Sequence, residues 1–247
     1  MNIRSAVSAI TASLVTCAVS AAESELRFIG KASEDGTPVY EERHRVLGEC
    51  RGGLWHPDRH SVDYQRPGGG DTFATKELNY QHSTLRPEVE FEQRDFDETL
   101  SIKHVDDDTL RIRWQNPSGD VENYDVPFDE TVVVDAGFDN LIRQNWNAVT
   151  AGQSVDFRFL GPTRGEHYGF VIEPASTERT NAAHIVRIRP SGFIARFLVD
   201  PVTLGYNESG VLTDYFGLSN IRKSREDNYT VHIRYEVTRQ ANCELTP

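Results

Sequence analysis

The chain has 247 residues, 38 Asp and Glu against 26 Lys and Arg, and a formal net charge of −12 at pH 7. A chain this acidic repels phosphate backbones, which excludes nucleic acid as a partner. Its length suffices for a substantial core in one domain, and three cysteines are too few for a disulfide scaffold.

Residues 1–22 read as a secretory signal peptide. Arg4 gives the basic start, an apolar run of Ala, Val, Ile and Leu follows, and Ser20 and Ala22 are the small residues of a cleavage site ahead of Glu23. The run is too short for a membrane span and no later stretch is longer, so no transmembrane segment is expected in the mature chain. The expected localisation is periplasmic or secreted, with residues 23–247 forming a single β-rich domain. Cys17 offers a competing reading as a lipidated residue, but Thr16 stands before it where a Gly, Ala or Ser is wanted. Cys50 and Cys243 are the pair left after cleavage, and in an oxidising compartment a disulfide between them is expected.

Residues 25–32 and 39–47 flank the turn formers of SEDGTP and read as a hairpin. Residues 50–58, with two glycines, Trp55 and Pro57, read as a loop. Strands over 60–65 and 72–80 flank RPGGGD. A phosphate cradle there would need a following helix and usually a Lys, so the three glycines read as a flexible β connection. Strands over 89–93, 99–104 and 110–115 continue the series, Leu110, Ile112 and Trp114 alternating with Arg111, Arg113 and Gln115. The carboxylates of Asp106, Asp107 and Asp108 lack the alternating spacing of a calcium loop and read as a solvated turn. Two more strands, 121–128 and 131–134, lead to the one helical stretch.

Residues 137–152 place Phe138, Leu141, Ile142, Trp146 and Val149 on one stripe of a 3.6-residue repeat, with Arg143, Gln144 and Asn147 opposite. Asp135 or Asp139 is the expected N-cap, Gly152 the expected left-handed end, and Trp146 the expected anchor. Beyond it come strands over 155–159 and 168–172, a polar link at 174–181, strands over 184–188 and 193–199, a hairpin across NESG, and a final strand in which Val231, Ile233, Tyr235 and Val237 alternate with polar residues. The fold expected is mainly β: a single antiparallel curved sheet or half-barrel of about a dozen strands with one amphipathic helix packed on it.

Val199, Asp200, Pro201, Tyr206, Leu212, Tyr215, the run Gly217 to Ile221, and Tyr229 form a pattern over the last third of the chain. With the exported start and the strand-rich body, this resembles uncharacterised exported bacterial half-barrel proteins, similar in layout to the periplasmic carriers that move lipoproteins between membranes. The resemblance implies an apolar concavity under a helical lid and transfers no residue role.

The most metal-like feature is Cys50, His56 and His60 with Asp58 between the histidines. Pro57 interrupts the spacing, so His56 and His60 are weak metal candidates and no metal is expected. No nucleophile elbow is present, and any carboxylate pair, such as Glu41 with Glu42, is explained by chance among 38 acidic residues. Catalytic residues stay unassigned and no cofactor is expected. The function expected is an exported, more often non-enzymatic protein that carries a hydrophobic or amphiphilic ligand such as a lipid against Phe138, Leu141, Ile142, Trp146 and Val149. The alternatives are an enzyme with a loop site around His56 and His60, and an envelope assembly or scaffold protein that binds another protein.

Overall fold

The computed structural model describes residues 23–192 and 200–247. The expected signal peptide, Cys17 and the strand expected over 193–199 lie outside the described residues.

The sheet opens with β1 (Glu23–Glu34), β2 (Thr37–Arg51), β3 (Leu54–Gln65) and β4 (Thr72–Asn79). β5 (Glu88–Gln93), β6 (Glu98–His104), β7 (Thr109–Gln115), β8 (Val121–Pro127) and the short β9 (Val132–Val133) follow. Helices α1 (Gly137–Gln144) and α2 (Trp146–Thr150) lead to β10 (Val155–Gly161), β11 (Glu166–Pro174), β12 (His184–Pro190), β13 (Val202–Tyr206), β14 (Leu212–Arg222) and β15 (Asn228–Arg239). These fifteen strands form one sheet, in which β8 to β1 run in reverse order, β1 meets β15, and β14 to β9 complete the far half. All pairs are antiparallel except β9 with β10. Consecutive strands therefore lie side by side, except β8 and β9, which stand at the two edges.

The strand count exceeds the expected dozen. Residues 50–58 are not a loop: Gly52 and Gly53, at φ of 59° and 85°, make a two-residue turn between two long strands. The expected hairpin before it turns on Asp35 and Gly36 at φ of 50° and 80°. An extra residue at Asp58, where Leu47 pairs with Arg59 and Gly48 with Pro57, shifts the register of β3.

The sheet curls until its halves touch. Gln93 of β5 makes two hydrogen bonds to the Arg222 backbone of β14, at 2.9 and 3.0 Å, and the Arg222 guanidinium grips Glu98 of β6 at 2.6 and 2.8 Å. Inside lie three apolar clusters: one between the helices and β10 to β13, one around Tyr40, Phe73 and Ile233, and one around Val89, Ile112 and Leu160.

The expected single helix is broken. Asn145 leaves helical geometry at φ −105° and ψ 20° while its side-chain amide donates to the Leu141 carbonyl at 2.9 Å, the local competition for backbone groups that Asn favours. Leu141, Ile142, Trp146 and Val149 are buried against Phe157, Ile172, Val186 and Leu204, with Phe138 at the margin. Ile142, fully buried, sits deeper than Trp146. The cap differs too: Ala136 holds the N-cap position without a side-chain bond. Asp135, at φ 45°, accepts from its neighbour's amide, and Asp139 serves an ion pair. Gly152 takes the left-handed end at φ 94°.

Candidate functional site

Alternation along β2 points Tyr40, Glu42, His44 and Val46 inward, and the shifted register of β3 does the same for His60, Val62 and Tyr64. The Asp58 bulge thus keeps Trp55 and His60 on the inner face while His56, next to Trp55, points out. The structure therefore does not bring His56 and His60 together. His60 meets His44 instead, His60 Nε2 lying 2.9 Å from His44 Nδ1. His44 Nε2 lies 2.9 Å from Glu42 Oε2, and the Tyr235 hydroxyl donates to that same oxygen at 3.0 Å. An acceptor carboxylate at one end fixes the proton order: His44 carries its proton on Nε2, and His60 donates from Nε2. Phe28 stacks on the His44 ring at 4.2 Å between centroids.

Lys76 projects from β4 into the same interior. Its ammonium donates to Asp135 Oδ2 at 2.7 Å, with side-chain exposures of 8% and 22%. Burial alone would lower Lys76, but the Asp135 charge and hydrogen bond outweigh it and the ammonium is held above its usual range. Asp135 reaches this place through its left-handed backbone, and α1 begins so close to the preceding loop that a Cβ on Gly137 would strike the Leu85 carbonyl. One turn on, Asp139 pairs with Arg143 at 2.9 Å and accepts from the Tyr206 hydroxyl at 2.9 Å. Arg143, expected on the wet side, is buried: its Nε donates to the Gly210 carbonyl at 3.0 Å.

The inner strip thus holds Glu42, Asp135 and Asp139 against Lys76 and Arg143, with the His44–His60 pair between. Burial drives His60 well below the ordinary imidazole range, and the neighbouring His44, Lys76 and Arg143 charges add to it. Burial, with the Glu42 carboxylate next, raises Tyr215 and Tyr235. Phe28, Tyr215, Tyr229 and Tyr235 face this strip and are half-buried, packed against the buried clusters beside it. Among the described residues no three His, Cys, Asp or Glu side chains converge as a metal set.

Two further features flank the strip. The tail after β15 folds across the helix end: Cys243 is bonded to Cys50, with Cα atoms 5.9 Å apart, the Trp55 amide donates to the Glu244 carbonyl at 2.8 Å, and Leu245 packs on Leu26 and Trp55. The expected disulfide is present. On the outer face, a groove of about 570 Å³ runs beside Arg179, Thr203, Phe216, Leu218, His232 and Arg234. There His232 pairs with Asp214 at 2.9 Å, Asp214 accepts from Thr180 at 2.7 Å, and Arg179 lies over Phe216, which fastens the loop after β11 to the sheet.

No family model matches the chain, and no curated protein does. Among solved structures it is similar to a beta-barrel-like protein of a domain of unknown function, DUF1849, from Brucella abortus, at 8% identity over 88% of this chain and 95% of that one, with a TM-score of 0.37.

Proposed function

We propose that this chain is an exported, non-enzymatic binding protein that holds a small amphiphilic molecule inside its curved sheet. The polar head lies at Lys76 and Asp135, and the apolar part runs along Phe28, Tyr215, Tyr229 and Tyr235. The observation that carries this is the inner strip itself. Apolar side chains of the same volume are often as stable in such a place as buried ion pairs, and buried ionisable groups with displaced pKa values gather at binding sites. The helices are a fixed wall and not a lid, because the stripe of Leu141, Ile142, Trp146 and Val149 is already filled by sheet side chains. A loop enzyme loses its basis, since His56 and His60 lie on opposite faces.

Native mass spectrometry with lipid extraction, on protein purified from the periplasm, tests this. A small amphiphile should travel with the wild type, and a pyrene-labelled alkyl sulfonate should bind it. The Lys76→Met/Asp135→Asn double variant removes the pair without stranding a charge and should lose both. A wild type that carries nothing and takes up no probe, but retains an envelope protein, would replace this function with that of a scaffold.

A further inference from the structure

The chain of contacts from Tyr235 through Glu42 and His44 to His60 has a limited proton capacity, set by its geometry. In the neutral state one N–H, on His60 Nε2, fills the 2.9 Å gap to His44 Nδ1. With one added proton on the pair a single N–H still joins the rings, and the Glu42 carboxylate stays in contact with it through His44 Nε2. A second added proton leaves N–H facing N–H across the same gap, and the two rings must part. The groups around the pair oppose that second charge. Lys76 of β4 and Arg143 of α1 are cations. Among the described residues Glu42 of β2 is the carboxylate in direct contact, and it already serves His44 and Tyr235; Tyr64 of β3 and Tyr235 of β15 are neutral, and Asp135 and Asp139 are engaged by Lys76 and Arg143. The rings stand on β2 and β3, whose pairing places Val46 opposite His60 and His44 opposite Val62.

We propose that the His44–His60 pair is a proton-operated latch on the interior: joined while it holds at most one added proton, it ties the inward side chains of β2 and β3 together beside the bound amphiphile, and a second proton splits it, loosens the ladder there and releases the ligand. The latch rests on the interior binding proposed above, and its protonation chemistry can be read without any ligand. Burial of His60 sets the direction, since it holds the second protonation below the ordinary range.

The test uses full-length exported protein and a pyrene-labelled alkyl sulfonate, whose head stays charged throughout the acid range. On acidification from about pH 7.5 to about pH 4, well past the ordinary imidazole range, the wild type should lose affinity by roughly tenfold or more, equivalent to about 1.4 kcal/mol. His60→Gln can still donate to His44 Nδ1 but does not titrate, so its affinity should stay level over the same range. Independently, the protection of the Val46 and Val62 amides of the ligand-free wild type, taken relative to the intrinsic exchange rate at each pH, should fall on acidification while that of Val186 in β12 does not. If His60→Gln fails to fold, the wild-type imidazole nitrogens read by NMR take its place, and they should show two separate protonation steps with the shared N–H lost at the second. Equal acid loss in wild type and His60→Gln, or a single step for both rings, overturns the latch and leaves interior binding intact. Absence of probe binding at every pH, with Val46 and Val62 protection still acid-dependent in the wild type alone, overturns interior binding and keeps the split pair as a proton-driven loosening of the ladder.

Discussion

Lys76 is the side chain whose replacement separates a buried pair from its parts. Lys76→Met leaves Asp135 charged without its counter-ion, held by the Ala136 amide, and should cost up to about 3 kcal/mol, whereas Lys76→Met/Asp135→Asn should recover most of that loss, because a buried pair is weak net stabilisation but a largely buried charge without its partner is costly. Denaturant unfolding of the three proteins measures this, and a single variant as stable as the double would mean that Asp135 reaches water. The same residues set the pH limits of stability. His60 is held below its ordinary 6.5, so the unfolded chain binds the extra proton first; its contribution is complete above about pH 6.5 and is lost as pH falls from there towards the native value. Lys76 is held above its ordinary 10.5, so its contribution is complete below that value and is lost as pH rises through the native one. Unfolding midpoints should therefore fall on both sides, and His60→Gln should flatten the acid limb alone.

At the scale of the element, the helices act as core. Trp146 packs edge-on to His184 and Tyr206 at 5.0 and 5.6 Å, and Trp146→Ala should cost about 3–5 kcal/mol in denaturant unfolding, with or without a bound amphiphile. A loss below about 1 kcal/mol would instead make the helices a mobile cover. The apolar stripe was legible because 3.6-residue spacing lies within one segment, as were the hairpins, whose Asp-Gly and Asn-rich turns are local chemistry. Asn145 hid its break, since an Asn within a helical pattern does not by itself say whether its amide turns back to bond the chain. The site was mostly illegible for a different reason. Lys76 finds Asp135 at a separation of 59 residues and Tyr235 finds Glu42 at 193, and pairing registers decide both. One signal did exist: Lys76 stands in the inward phase with Ala74 and Leu78, and Glu42 and His44 stand between Tyr40 and Val46. Charged residues on the apolar phase of a strand are the mark that an expectation built on the helical stripe, with His56 and His60 as its loop alternative, passed over. The Asp58 bulge, which puts those two on opposite faces, has no sequence signature of its own.

For the whole molecule, closure depends on contacts that bypass the hydrogen-bonded ladder. Glu98 and Gln93 hold Arg222 across the curl, and Cys50 holds Cys243 across the helix end, a link spanning 193 residues of sequence. Loop-closure entropy grows only logarithmically, so a bridge this long restrains the unfolded chain by about 5 kcal/mol at most, and the Cys50→Ser/Cys243→Ser variant should lose roughly 3–5 kcal/mol in denaturant unfolding. Two routes to that loss make different predictions. If the bridge acts mainly on the unfolded chain, the tail stays docked without it, because Leu245 still packs on Leu26 and Trp55, and the Glu244 backbone still bonds to Trp55 and Gly53; the Trp55 amide then exchanges as slowly as in the wild type. If the bridge is what keeps the tail seated, its docking contacts are lost before global unfolding, the Trp55 amide exchanges quickly, and Val62 in the middle of β3 stays protected. The tail contributes two backbone–backbone hydrogen bonds, one more from the Asn242 amide to the Ser24 hydroxyl at 2.9 Å, and a small apolar patch against the cost of ordering several residues, so the second outcome is expected. Slow Trp55 exchange in the bridgeless variant would show instead that the end of the sheet stays closed by packing alone.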